Sequence, residues 1–182
     1  RILGPHVAQM GSLVAPERLR FDFSHFSPID PAQLEEIESL VNAEIRADRE
    51  ISTFEESLEK AKSMGAQALF GEKYEERVRV VRIGDFSLEL CGGTHVNSTG
   101  EIGRFDLVSE SGIAAGTRRA EGVAGTAAEN AARAQRQTLA RLSELLNSPD
   151  YGQLPQKIDD LLNRQRDTER QLSDLQQQAA GQ

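Results

Sequence analysis

Cys91 and His95 are a thiol and an imidazole four residues apart, joined through Gly92, Gly93 and Thr94. On a helix that spacing would bring both side chains to one face. The two glycines each cost helix stability, so the segment is expected to be a tight loop at a strand end, with a backbone that a ligand can approach closely. A soft thiolate beside an imidazole suits zinc, at bond lengths of roughly 2.0–2.3 Å. Two ligands do not complete such a site, because catalytic zinc takes about three protein ligands and structural zinc about four. The other histidines, His6 and His25, are isolated in the sequence, and no further paired His or Cys signature occurs. Three readings follow. The pair is half of a metal centre, or a buried thiol with a hydrogen-bonded histidine, or a Cys–His nucleophilic couple for which no acyl substrate is evident.

The elements around the loop read as α+β, with helices packed on an antiparallel sheet. Val7 to Val14 and Leu19 to Phe23 form a strand pair turned by Ala15-Pro16-Glu17-Arg18, and Leu19 to Phe23 alternates apolar with polar side chains. Asp30-Pro31 starts a helix in which Leu34, Ile37, Leu40, Val41 and Ile45 give one apolar face to about Arg46. Thr53 and Glu56 read as a capping box opening a second helix through Leu58 and Ala61 to Met64-Gly65, and Gly71 closes the next segment. Val78, Val80 and Val81 begin a β-rich stretch that turns at Gly84-Asp85 into Phe86 to Leu90, directly before the Cys91 loop. Gly103 to Ser109 and Gly116 to Val123 are two further strands.

Composition changes at about Gly125, which divides the chain into a first domain, residues 1–125, and a helical arm, residues 126–182. Thr126 to Leu146 suits a helix, and Ser148-Pro149-Asp150-Tyr151-Gly152 breaks it. From Pro155 onward Ile158, Leu161, Leu162, Leu172 and Leu175 make a sparse stripe interrupted by Gln165 and Thr168, as in half of a coiled coil, with a frayed end at Gln176 to Gln178.

The formal charge of -8 over 182 residues argues against a general nucleic-acid binder, although one basic face can still hold RNA. Arg77, Arg79, Arg82, Arg104, Arg118 and Arg119 could form such a face or ordinary surface ion pairs. No tryptophan and 5% aromatic content disfavour a base-stacking platform. A single cysteine excludes an internal disulfide framework and fits a reducing, cytoplasmic setting, and no run approaches a membrane span. The opening Arg1-Ile2-Leu3-Gly4-Pro5 has no initiator methionine and reads as a helix end running into a turn, as in a piece of a longer protein.

Cys91-Gly-Gly-Thr-His-Val-Asn-Ser-Thr-Gly-Glu-Ile-Gly103 is followed by Ser109-Glu-Ser-Gly-Ile-Ala-Ala-Gly-Thr-Arg-Arg119 and closes at Val123-Ala124-Gly125. Gly4-Pro-His-Val-Ala-Gln-Met-Gly-Ser-Leu-Val14, Leu19-Arg-Phe-Asp-Phe-Ser-His25 and Ala68-Leu-Phe-Gly-Glu-Lys-Tyr74 precede them in the chain. In this order the motifs resemble the editing region of alanyl-tRNA synthetases, and the tail resembles the arm leading toward that family's C-terminal domain.

The resemblance implies an editing-domain fold, truncated at its start, that hydrolyses tRNA(Ala) mischarged with serine or glycine. It implies a zinc site in which Cys91 and His95 join a His-x-x-x-His pair on a helix preceding Arg1, so this chain alone is expected to be inactive. Gln9 takes a position lining the substrate pocket, where its amide can both donate and accept. Thr94 offers a neighbouring hydroxyl, or simply steadies the turn, and Arg118 and Arg119 are candidate tRNA contacts. ATP and magnesium belong to an aminoacylation domain outside these residues. A free-standing trans-editing deacylase, or a non-catalytic module for dimerisation or tRNA positioning through the arm, would fit the same motifs.

Overall fold

The computed structural model describes residues 2–68 and 74–180, the side chain of residue 180 excepted. Two compact units divide the chain, residues 1–130 and 131–182. The first unit holds two antiparallel sheets rather than one. A four-stranded sheet contains β1 (Gln9–Val14), β2 (Leu19–Ser24), β6 (Phe105–Ala114) and β7 (Thr117–Ala124) in the order β1-β2-β7-β6. A three-stranded sheet contains β3 (Ile51–Ser57), β4 (Arg77–Ile83) and β5 (Ser87–Leu90) in sequence order.

Helix α1 (Pro31–Arg46) starts where the sequence indicates. The Asp30 side chain accepts a hydrogen bond from the Ala32 amide, and the Asp30 amide donates to the Gln33 side-chain oxygen. The helix also covers the open edge of β6, whose unpaired backbone groups would otherwise invite another strand. Asn42 donates to the Phe105 carbonyl at 2.7 Å and accepts from the Phe105 amide at 3.0 Å. Glu38 accepts from the Leu107 amide. Side chains of α1 thus stand in for a fifth strand.

The expected capping box at Thr53 and Glu56 is not a helix start. Both residues lie in β3, where Thr53 pairs with Val81 and Glu56 with Val78. Helix α2 (Leu58–Ser63) begins later, and its cap is Ser57, which accepts from the Lys60 amide. Long-range pairing with a valine-rich strand overrides the local capping pattern. Under that sheet, Ala61, Ala66, Val78, Val80 and Leu90 form the buried cluster, with Phe54 and Leu58 packed against it. The Gly71 turn and most of the Ala68–Tyr74 block lie outside the described residues.

In the second unit helix α3 (Gly125–Leu145), begun in the first, ends near Ser148, and α4 (Leu154–Ala180) follows. The Lys157 ammonium donates to the carbonyls of Leu146 and Asn147, at the negative end of α3. Helix α4 runs through the glutamines at 176–178 without the fraying expected there.

Candidate functional site

The strand β5 ends at Leu90, and the chain leaves the sheet at Cys91. From there to Ser98 no regular element forms, as the paired glycines require. Within this loop the Cys91 Sγ and His95 Nε2 converge to 3.3 Å. Two ligands of one tetrahedral zinc, at about 2.3 Å for sulfur and 2.0–2.1 Å for nitrogen, stand about 3.5–3.6 Å apart. The pair therefore has the donor types and nearly the separation of two adjacent metal ligands. Among the described residues no cluster of His, Cys, Asp or Glu that could hold a metal has as many as three members.

The loop is held at both ends. At its start the Cys91 amide donates to the Arg79 carbonyl at 3.2 Å, extending the β4–β5 ladder by one step. The Arg79 guanidinium Nη1 then donates to the Cys91 carbonyl at 3.1 Å and also to the Gly93 carbonyl. At its end Thr99 is buried. The Thr99 hydroxyl donates to the Glu44 carbonyl at 2.7 Å and accepts from the Arg49 amide at 2.8 Å. The Ile51 amide donates to the Asn97 carbonyl, and Glu50 bridges Ser98. Between these anchors His95 is exposed, and Cys91 is half-buried.

Gln9 sits at the start of β1, beside a register irregularity, and its amide donates to the Ser12 hydroxyl at 3.2 Å. Thr94 is exposed on the loop. A cleft of about 840 Å³ opens between Ile2, Leu3, α1 residues Ile37 and Leu40, and the β4–β5 hairpin; Gln9, Cys91, Thr94 and His95 do not line it. His6 and His25, isolated in the sequence, are brought together by the β1–β2 pairing, with His6 Nε2 and His25 Nδ1 2.8 Å apart.

The six arginines singled out in the sequence are each engaged. Arg118 forms a two-pronged pair with Glu110, and the Arg118 guanidinium, with the Ile29 amide, holds the Glu110 carboxyl below its ordinary range despite desolvation. Arg119 grips both oxygens of buried Asp22 at 2.7 and 2.8 Å, which lowers the Asp22 pKa. Arg77 meets Glu55, and Arg104 meets Asp106. Arg82 lies 5.7 Å from the centre of the Phe54 ring. Only Arg79 spends its donors on the Cys91 loop. By residue type alone Arg79 is one of six surface cations, and no local sequence signal marks Thr99. The strand register that places Arg79 beside Cys91 is the signal that would have separated it.

Residues 78–121, which span β4, β5, the Cys91 loop, β6 and part of β7, match the family described as the threonyl and alanyl tRNA synthetase second additional domain. The chain is also similar to the alanine–tRNA ligase of Methylococcus capsulatus, at 52% identity over 181 residues that cover 100% of this chain and 21% of the relative. It is 52% identical to the alanine–tRNA ligase of Hydrogenovibrio crunogenus over 179 residues, 98% of this chain and again 21% of the relative. The chain thus spans about a fifth of the length of the curated relatives it matches. Matched at this level from end to end, and carrying the Cys91 loop inside the matched domain, the chain belongs to the alanyl-tRNA synthetase family.

Proposed function

We propose that this region contributes to a proofreading site that hydrolyses the aminoacyl ester of tRNA(Ala) mischarged with serine or glycine. The observation that carries the reading is the convergence of Cys91 and His95 in a loop fastened at both ends. A pocket sized for alanine gains too little binding energy to reject glycine, and rejects the added hydroxyl of serine poorly, so a second, hydrolytic site answers a physical need. In the reaction, water adds to the ester carbonyl and the bond to the ribose oxygen breaks. The free amino acid and a tRNA ending in a ribose hydroxyl are released.

Cys91 and His95 would hold a zinc ion, with its remaining ligands on a segment preceding residue 1 in the longer protein. The chemistry such an ion supplies when bound is polarisation of the ester carbonyl or activation of a water. Gln9 would read the polar substrate through its amide, and Thr94, exposed and next to His95 in the chain, would offer a hydroxyl. Arg118 and Arg119 could reach RNA only by sharing guanidinium groups already held by Glu110 and Asp22. Deacylation assays with Ser-tRNA(Ala) and Gly-tRNA(Ala) test the reading. A full-length protein that clears both, and loses that activity while keeping alanine charging when it carries Cys91→Ala, supports it. Unchanged deacylation by Cys91→Ala overturns it.

With two such ligands among the described residues, the 182-residue chain by itself is expected to bind zinc weakly and to hydrolyse negligibly. Robust hydrolysis by this chain would instead favour a free-standing deacylase.

A second reading concerns α4. Ile158, Leu161, Leu172 and Leu175 are exposed, and with Leu154, Gln165 and Thr168 they follow alternating steps of four and three residues. In a parallel pairing of two copies, Gln165 would face its equivalent and Arg164 would oppose Glu169 of the second copy. Sedimentation showing a monomer at high concentration removes this homodimer.

A further inference from the structure

We propose that Arg79 is a positioning residue for the metal-binding loop, fixing the Cys91 thiol so that it meets His95 at ligand separation. The proposal rests on the reading of Cys91 and His95 as metal ligands.

Arg79 is half-buried in β4, between buried Val78 and Val80, and its side chain stands on the face of the strand opposite theirs. Among the described residues it has no carboxylate partner within 4.0 Å; of the other arginines of β4, Arg77 pairs with Glu55 and Arg82 lies over the Phe54 ring. The Arg79 donors go instead to two backbone carbonyls, those of Cys91 and Gly93. Together with the backbone bond from the Cys91 amide to the Arg79 carbonyl, they hold three points of the loop, two at Cys91 and one at Gly93, from one residue.

Such a clamp decides where a thiol points. Gly92 and Gly93 give the loop more accessible backbone conformations than any other residues could, and a metal pays for that freedom when it binds. A planar guanidinium with donors in a fixed fork removes the freedom beforehand. The guanidinium also spends its donors on carbonyl oxygens, so it does not compete with the ion for Cys91 Sγ or His95 Nε2. Lysine could donate to both carbonyls but fixes no plane.

The test is cobalt(II) substitution of the full-length protein, read by the thiolate-to-cobalt charge-transfer band, the visible ligand-field bands and the cobalt affinity. Amide hydrogen exchange of the loop supplies a readout without metal. Arg79→Gln is expected to weaken cobalt binding about 10- to 100-fold, as for other groups that orient metal ligands, and to alter the visible bands. The same variant should speed exchange at Gly92 to His95 while leaving the amides of β3 and β4 at their native rates. Arg79→Lys should recover part of the affinity but keep altered bands. Cys91→Ala separates the two ideas. If that variant keeps the full cobalt spectrum, the metal reading fails. If it loses the charge-transfer band while Arg79→Gln matches the native protein in affinity, bands and exchange, the positioning role is overturned. Should Arg79→Gln not fold, native affinity and bands in Arg79→Lys overturn it equally.

Discussion

In the four-stranded sheet Asp22 and Glu110 each grip an arginine of β7 by two hydrogen bonds, and Glu121 adds a longer contact with Arg18. In the three-stranded sheet Arg79 and Arg82 turn to carbonyl oxygens and an aromatic ring, while the strands bury Val78, Val80, Val81 and Leu90. The first sheet has polar groups in its interior and must satisfy them with one another. The second has an apolar interior and leaves a cation free to organise the loop at its edge. Charge cancelled within a sheet stabilises that sheet, whereas charge aimed at a loop is available for function.

The largest effect that would sharpen the contrast is Cys91→Ala in the full-length protein, expected to lower deacylation by about 100-fold or more with little change in melting temperature. A comparable loss of stability would mean that the loop is a structural staple instead. Next, Val80→Ala removes two methyl groups from a fully buried position and should cost about 2–3 kcal/mol in urea unfolding. A cost near zero would show that the three-stranded sheet does not depend on its apolar interior.

Asp22→Asn should cost about 1–3 kcal/mol, because Arg119 and Arg20 lose their shared carboxylate. Its pH dependence has a definite sign. The folded pKa values of Asp22 and Glu110 lie below the ordinary carboxylate values, so the stabilisation is complete above those values. It declines as the pH falls through the ordinary values toward the folded ones. Denaturant melts at pH 7 and at acidic pH should show a shallower decline for Asp22→Asn than for the native chain, and parallel curves would remove Asp22 as a source of the slope. Smallest of all, Arg77→Ala should leave stability within about 0.5 kcal/mol, since both partners of the Arg77–Glu55 pair are largely exposed.

Local signals were legible in the sequence where they agreed with the fold. Asp30-Pro31 starts α1 as its residue types demand, the Ala15–Arg18 turn joins β1 to β2, and the glycines keep the Cys91 loop out of a helix. Signals failed where a distant partner decided the outcome. Thr53 and Glu56 have capping-box spacing, yet pairing with β4 makes them strand, and Ser57 takes the capping role. The division into two sheets, the meeting of His6 with His25 and the placement of Arg79 beside Cys91 all depend on pairings between separated segments. No local pattern of residue types encodes those pairings. Motif content therefore revealed the Cys91–His95 pair, while only the fold revealed what holds it.

The β4–β5 hairpin turns through Gly84 and Asp85, with Ile83 opposite Ser87 and Val80 opposite Leu90. Surface turns commonly accept added residues, but this one measures out the distance at which Cys91 meets Arg79. One residue inserted between Ile83 and Ser87, if it shifted the pairing by a step, would exchange the two faces of β5 and carry the thiol away from its guanidinium. Directed libraries that vary loop lengths should therefore tolerate length changes at the Ala15–Arg18 turn and reject them here, although both turns lie at the surface and neither touches the thiol.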